Sequence, residues 1–403
     1  MAKQKVLLII GAGFEQLPAI QLAKSMGYKV VVSDLNPDAA GVNYADEFGQ
    51  ISTNNKSDNL AFAKQHQIDG VMTLGSELAV PVVAYVAENL DLPGANIDTA
   101  LKATNKNVMH RAFRQNSVPT PQSNRVNTLA QLKAFVEEWG WPLVIKPSDS
   151  SGQRGVTFLH EESPLEAALQ EALHFSTDDY AIVEQYVSGP EINVTAIVQE
   201  GEIYFLSFSH RVTAEPPHFG IAIEHRAPVD ISESALKSVR EASEKAIRAI
   251  GLRNGIAYPQ VIASPQGSKV LEIAARIPGG YMREVALICS GIDMIEVVIR
   301  QALSETLPIV DYIRHPSSES VLVKFITELD LPADLKVMSQ ISGFEQVQKM
   351  PEVFLANCRL KEGEAVPALD SSVARFAAII TCGDSIHASE KRLSEALNEI
   401  VLK

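Results

Sequence analysis

The sequence predicts an α/β protein in three parts: a parallel sheet over residues 1–97, a larger α+β unit over 98–308, and a small α+β segment over 309–403. Three observations carry this. Apolar runs and amphipathic stretches alternate at βαβ spacing up to about residue 97. The passage "LPGANIDTALKATNKNVMHRAFRQNSVPTPQ" then breaks that rhythm as a hinge would. Beyond it, apolar strands crowd around a small-residue loop and one long helical stretch. A chain of 403 residues is long enough for two or three full cores, and 46% hydrophobic with 21% charged residues is an ordinary globular balance.

The elements follow in order. "KVLLII" is a buried strand and "LPAIQLAKSMG" its helix; "KVVVSD" (29–34) is the next strand. A helix around "DNLAFAKQHQ", a strand "GVMTLG" (70–75) and a helix "LAVPVVAYVAENL" complete the parallel unit. Binding residues of such a sheet lie at the carboxyl ends of its strands, which puts Gly11–Gln16, Asp34 and Ser76–Glu77 on one rim. After the hinge come a helix over about 98–116, the helix "LAQLKAFVEEWG", the strand "PLVIK" (142–146), the loop "PSDSSGQRGV" and a helix near 164–175. "YAIVEQYV" and "EINVTAIVQ" read as strands joined by "SGP"; "EIYFLSFSH" and "GIAYPQVIA" are strands flanking a helix over about 232–250; "KVLEIAARIPGG" closes the unit.

Several function classes drop out at this level. The run "VLLIIGAGFEQ" starts like a dinucleotide fingerprint, with Asp34 as the ribose acid, but the third glycine position is Gln16. No apolar run approaches the roughly 20 residues that span a bilayer, and no signal-like segment precedes the first strand. A net charge of −14 argues against general nucleic-acid binding. Three scattered cysteines, Cys289, Cys358 and Cys382, form neither a disulfide framework nor a thiolate metal site. The expectation is a cytoplasmic protein without nucleic-acid or membrane partners.

Three stretches carry chemistry. In "KPSDSSGQRGV", small flexible residues let backbone N–H groups wrap polyphosphate oxygens, with Lys146 at the base; a plain hairpin with a solvated lysine is the other reading. It is not a Walker loop, because the lysine precedes the glycines. In "VEQYVSGPEINV", Glu184 and Glu191 bracket a Gly-Pro turn, a place to hold a flat base and two ribose hydroxyls, or merely two solvated acids. In "KVLEIAARIPGG", Glu272 and Arg276 interrupt an apolar strand, which is costly unless they are paired or functional. Gln260 lies on the preceding strand, where hairpin pairing would set it beside Glu272. Oxygen ligands of this kind suit Mg²⁺, which binds through one or two carboxylates plus substrate phosphates.

In this order, Lys106, Lys146 with its glycine loop, Glu184/Glu191 and Gln260/Glu272/Arg276 resemble the ATP-grasp superfamily across 98–305. The first 97 residues resemble its pre-ATP-grasp domain, and the last 95 or so a small C-terminal domain found in several members. The resemblance implies a two-lobed ATP-grasp unit with its flap-bearing lobe over about 117–188. It implies that Lys106 reaches the α-phosphate and that Lys146 touches the α- and β-phosphates. Ser151, Gly152, Gln153 and Gly155 would form the flap; Glu184, Tyr186 and the backbone of Val187 would hold adenine, and Glu191 the ribose. Gln260 and Glu272 would be the metal ligands, for Mg²⁺ with Mn²⁺ as a substitute, and Arg276 would steady the acyl phosphate and the tetrahedral intermediate, with Arg211 adding charge. Two departures stand out. The usual first metal acid is Gln260, as in carbamoyl-phosphate synthetase large subunits, and the family's Asn is Ala274, as in the Glu-x-Ala-Ala-Arg form of some L-amino acid ligases.

The implied activity is a carboxylate–amine ligase that forms an acyl phosphate and releases ADP. Its partners would be a small-molecule carboxylate and an amine, and the resemblance also implies a homodimer. The "PPHF…EH…P" texture of 208–230 resembles ligases acting on amino acids, although a solvated basic loop is the alternative. His218 and Arg283, with Glu77 from the first domain, are the substrate-binding candidates. A purine-precursor or bicarbonate ligase of the same superfamily, and an ATP-binding regulator without catalysis, remain alternatives.

Overall fold

The apolar run Val6–Ile10 forms β1 in a computed structural model that describes residues 4–216, 218–305, 307–309 and 318–403. With β2 (Lys29–Asp34), β3 (Glu47–Gln50) and β4 (Gly70–Met72) it makes a parallel sheet in the order β3-β2-β1-β4. All five β1 side chains are buried because helices cover both faces, as a parallel sheet requires. The turn after β1 settles the dinucleotide question. Gly11 N–H donates to the Ser33 carbonyl, Ala12 N–H to Asp34 Oδ2 (2.8 Å) and Gly13 N–H to Gln16 Oε1 (3.0 Å). Gln16 is itself buried and donates onward to the Leu74 carbonyl. The donors that would cradle a pyrophosphate are thus spent inside the protein.

The single helix expected over 98–116 is two, Ile97–Thr104 and Lys106–Gln115, broken at Asn105. Asn105 is extended and its side chain accepts the Val108 N–H, so it caps the second helix and makes Lys106 its first residue. A second, antiparallel sheet follows in the order β5-β8-β6-β7, from β5 (Ser123–Val126), β6 (Leu143–Pro147), β7 (Thr157–Leu159) and β8 (Ala181–Gln185). Helices Leu129–Trp139 and Leu165–His174 supply its core through Leu132, Phe135 and Leu169.

The third sheet is the largest. It takes β9 (Glu191–Gln199), β10 (Glu202–Thr213), β11 (Ala222–Ala227), β12 (Gly255–Ile262) and β13 (Lys269–Ala274) from the central unit. It continues with β14 (Ser320–Ile326), passes over the small pair β15 (Ile341–Ser342) and β18 (Val401–Leu402), and ends with β16 (Val353–Cys358) and β17 (Ala377–Gly383). The order β13-β12-β9-β10-β11-β14-β17-β16 runs without a break from one unit into the next. The link is β11, whose Glu224–Ala227 pairs with Val321–Lys324 of β14. Much of the passage 208–230 is therefore strand, not solvated loop. Helix Glu233–Ile250 packs on one face through Val239, Ala246 and Ile250. Helix Met294–Ala302 joins the opposite face to the first sheet, where Ile197 and Ile256 meet Ile9 and Val32 in one core.

Candidate active site

The second and third sheets face each other across a cleft of about 1160 Å³. Lys146 on β6 and Glu184 on β8 form its back wall, their Nζ–Oε1 distance being 2.7 Å with both side chains almost fully buried. Behind them lies His110, fully buried, with Nε2 3.5 Å from Glu184 Oε2. Burial pushes the Glu184 carboxyl upward even against Lys146, and burial next to Lys146 keeps the His110 ring neutral.

Lys106, set at the helix start by Asn105, donates to the Ser150 carbonyl (2.8 Å) and approaches Glu272 Oε2 at 3.8 Å. Opposite, Arg211 on β10 binds Glu191 Oε1 (2.9 Å) and the Gly220 carbonyl (2.6 Å). The β12–β13 register sets Gln260 directly across from Glu272, as expected from hairpin pairing, and the β12–β9 register puts Asn193 on the other side of Gln260. Burial opposes the charge on Glu272, but Lys106, Lys146, Arg211 and Arg276 outweigh it and hold the carboxyl below the usual range.

The flap residues Ser151, Gly152 and Gln153 border both this cleft and a smaller one of about 140 Å³ reaching Arg276, Glu77 and Tyr258. Gly155 sits at the flap's far end with φ +70°; a Cβ there would lie 2.7 Å from Phe175 Cδ2. Tyr186 and Val187 line the hinge, and the Tyr186 ring meets Phe158 (5.1 Å) and Phe219 (6.1 Å) edge-on. Phe219 belongs to the loop after β10, which therefore reaches over the cleft to the second sheet.

Lys106, Lys146, Ser151, Gly152, Gln153, Glu184, Tyr186, Val187, Glu191, Arg211, Gln260 and Glu272 all border the large cleft. Arg276 and Glu77 meet each other across the first and third sheets, Nη2–Oε2 2.6 Å. Two candidates stand elsewhere. Arg283 is gripped by Asp293 (2.5 and 2.9 Å) and borders neither cleft, which corrects its reading as a substrate anchor: its fork is already filled. His218 Nδ1 contacts the Leu369 carbonyl (2.7 Å), so the ring ties its loop to the third segment and does not face the cleft. Sequence reading missed His110, on the helix Lys106–Gln115, and also Asn193, His225 and Arg375, which become visible only when distant segments are brought together.

The fit to a nucleotide and a divalent cation can be judged from the donors. A cleft of this volume, lined by Lys106, Lys146 and Arg211 as well as by Tyr186 and Phe219, suits a nucleoside triphosphate. Among the described residues no group of three or more His, Cys, Asp or Glu side chains is arranged to hold a metal on its own. One carboxylate with one amide oxygen suits Mg²⁺ shared with substrate phosphates.

Comparison with known proteins agrees with this geometry. Residues 104–310 match the family described as carbamoyl-phosphate synthase L chain, ATP binding domain, and residues 337–403 match L-amino acid ligase C-terminal domain 2. An alanine–anticapsin ligase of Bacillus subtilis is 26% identical over 252 residues, covering 57% of this chain. The match spans only about half (52%) of that relative's length. Among solved structures, an L-amino acid ligase from Bacillus licheniformis superimposes with TM-score 0.84 at 22% identity, over 100% of this chain and 99% of the other. A phosphoribosylglycinamide synthetase from Anaerococcus prevotii gives 0.80 at 22% identity, over 100% of both chains.

Proposed function

We propose that this chain, which belongs to the family of carbamoyl-phosphate synthase L chain ATP-binding domains, is an ATP-dependent ligase joining the carboxylate of an amino acid to an amine. The observation that carries the reading is the register of Gln260 against Glu272 at the floor of a cleft walled by Lys106, Lys146 and Arg211. The amino-acid substrate is supported by the C-terminal match to L-amino acid ligases and by the alanine–anticapsin ligase relative.

In this reading a substrate carboxylate oxygen attacks the γ-phosphorus of ATP, the bond to ADP breaks, and an acyl phosphate forms. The difficulty is charge, so positioning and cationic stabilisation do most of the work. Lys106 and Lys146 neutralise the phosphates. Glu184 and the Tyr186–Val187 backbone hold the base, and Glu191 receives the ribose hydroxyls. Glu272 and Gln260 would hold Mg²⁺, which would supply further positive charge at the phosphates. The amine nitrogen then attacks the acyl carbon; phosphate leaves with the electron pair of the broken C–O bond, and the nitrogen loses a proton. Arg276, oriented by Glu77, faces the oxyanion. The flap excludes water from the intermediate.

The test supplies Mg²⁺-ATP, hydroxylamine and each proteinogenic amino acid in turn. ADP with a hydroxamate of particular acids supports the reading. AMP with pyrophosphate, or no turnover with any acid, contradicts it.

A further inference from the structure

Arg211, Arg226 and Arg276 each have an acid beside them. Arg375, in the third segment, makes no such ion pair, although the charge of Glu15 acts on it. Its Nε donates to the Ser372 carbonyl (2.8 Å), Nη1 approaches the Ala222 carbonyl at 3.5 Å, and its plane lies over the Phe325 ring with Cζ 4.0 Å from the centroid. Among the described residues no carboxylate forms an ion pair with it. Burial, with Arg211 and Arg359 nearby, lowers its pKa to about 10 even though Tyr258 and Glu15 pull the other way, so the cation is held at a cost that a further anion would relieve.

The guanidinium faces a turn without side chains. A Cβ built on Gly280 (φ +67°) would lie 3.6 Å from Arg375 Nη2, 3.8 Å from Nη1 and 3.8 Å from His225 Nε2. His225 is buried and kept neutral, and the Asn193 amide meets its Nδ1 at 3.2 Å; with that amide donating, the ring's proton sits on Nε2. The His225 ring of β11 and the Arg375 guanidinium of the third segment therefore meet at a turn where glycine places no side chain between them. On its far side, Glu15 Oε2 lies 3.8 Å from where a Cβ of Gly279 would be. Two hydrogen bonds tie the loop that carries Arg375 to its neighbours: Ser372 N–H to the Gly152 carbonyl (3.0 Å), and His218 Nδ1 to the Leu369 carbonyl (2.7 Å).

We propose that Arg375 binds the carboxylate of the amine-donating amino acid, an inference that rests on the ligase reading above. A carboxylate that is to be phosphorylated must enter the large cleft, whose border does not include Arg375. A carboxylate held at the Gly280 turn stays ionised, and a forked guanidinium is the side chain best shaped to hold it. Arg375 thereby fixes the second substrate as a free amino acid in preference to its amide or a simple amine.

The test separates the two substrates. With the acid found in the hydroxylamine assay, wild type, Arg375→Ala and Arg375→Lys are assayed with hydroxylamine, with free amino acids and with the corresponding amino acid amides. Thermal midpoints are measured alongside. The expected result is a KM for the amino acid amine raised about 10- to 100-fold in Arg375→Ala, less in Arg375→Lys, with hydroxylamine kinetics and the KM values for acid and ATP unchanged. The amide's KM should be the same in all three proteins. Equal losses with hydroxylamine and amino acid, or an unchanged amino acid KM, overturn the assignment of Arg375 while leaving the ligase intact. A wild type that forms no hydroxamate with any acid overturns both.

Discussion

Glu272 stays charged because four cations outweigh its burial, and the amide opposite it donates no charge of its own. Removing the only carboxylate of the pair is therefore more severe than altering the amide. Glu272→Ala should lower kcat at least about 100-fold, on the scale of losing a main electrostatic contact. Gln260→Glu should lower the Mg²⁺ concentration for half-maximal rate, since a second carboxylate adds charge to the ligand set. Unchanged Mg²⁺ dependence in Gln260→Glu would remove that position from the metal site. His110 and His225 make a different prediction. Burial holds both pKa values well below the ordinary 6.5, so the folded protein keeps the rings neutral while the unfolded chain protonates them. Their contribution is fully present above pH about 6.5 and is lost as the pH falls below it, by at most about 1.4 kcal/mol per pH unit for each ring. Denaturant titrations of His110→Gln between pH 7 and 5 should show a shallower loss of stability than wild type. An identical slope would mean that His110 is not held neutral by the fold.

At the scale of elements, the loop between β6 and β7 is constrained at its far end. Gly155 adopts φ +70°, and a Cβ would press on Phe175 and on Pro147 at 2.7 and 3.0 Å. Gly155→Ala should cost about 1–3 kcal/mol of strain in the closed flap. That appears as a KM for ATP raised about tenfold with the acid KM little changed; wild-type values for both would show that the flap does not close on the nucleotide. The loop between β6 and β7 was legible in the sequence as a run of small residues after a strand ending in lysine, and the structure places Ser151, Gly152 and Gln153 at the border of the cleft. The register of Gln260 and Glu272 was legible for a similar reason, two strands joined by a short turn. The break at Asn105 was not, since asparagine sits in the middle of an otherwise helical pattern and only its cap hydrogen bond ends one helix and starts the next. Strand β11 was hidden by its composition. "AIEHRA" looks solvated until β14 covers one edge and His225 turns inward. Arg283 misled in the opposite way, since its partner Asp293 lies ten residues on and nothing in the spacing announces the pair.

The largest sheet sets the organisation of the whole molecule. The sequence reads as a third, smaller α+β segment from about residue 309, yet β14 hydrogen-bonds to β11 and carries the sheet onward. A long-range antiparallel pairing leaves no local mark in a sequence, so this continuity was not legible there. A chain ending at residue 316 would expose the β11 edge and strip the cover from Val321-facing core residues such as Ala227 and Tyr258. It should aggregate or unfold well below the full chain in thermal melts; a truncated chain melting at the same temperature would mean the segments are independent. The same sheet carries Glu272 and Arg211, with Arg375 just before β17, so groups from three separate stretches of sequence would serve the proposed ligation. The most direct measurement uses an acid labelled with heavy oxygen in its carboxyl group, turned over with Mg²⁺-ATP and amine, with the released phosphate read by phosphorus NMR. An acyl-phosphate route transfers one labelled oxygen to each inorganic phosphate. Label in AMP, or none in phosphate, would contradict it.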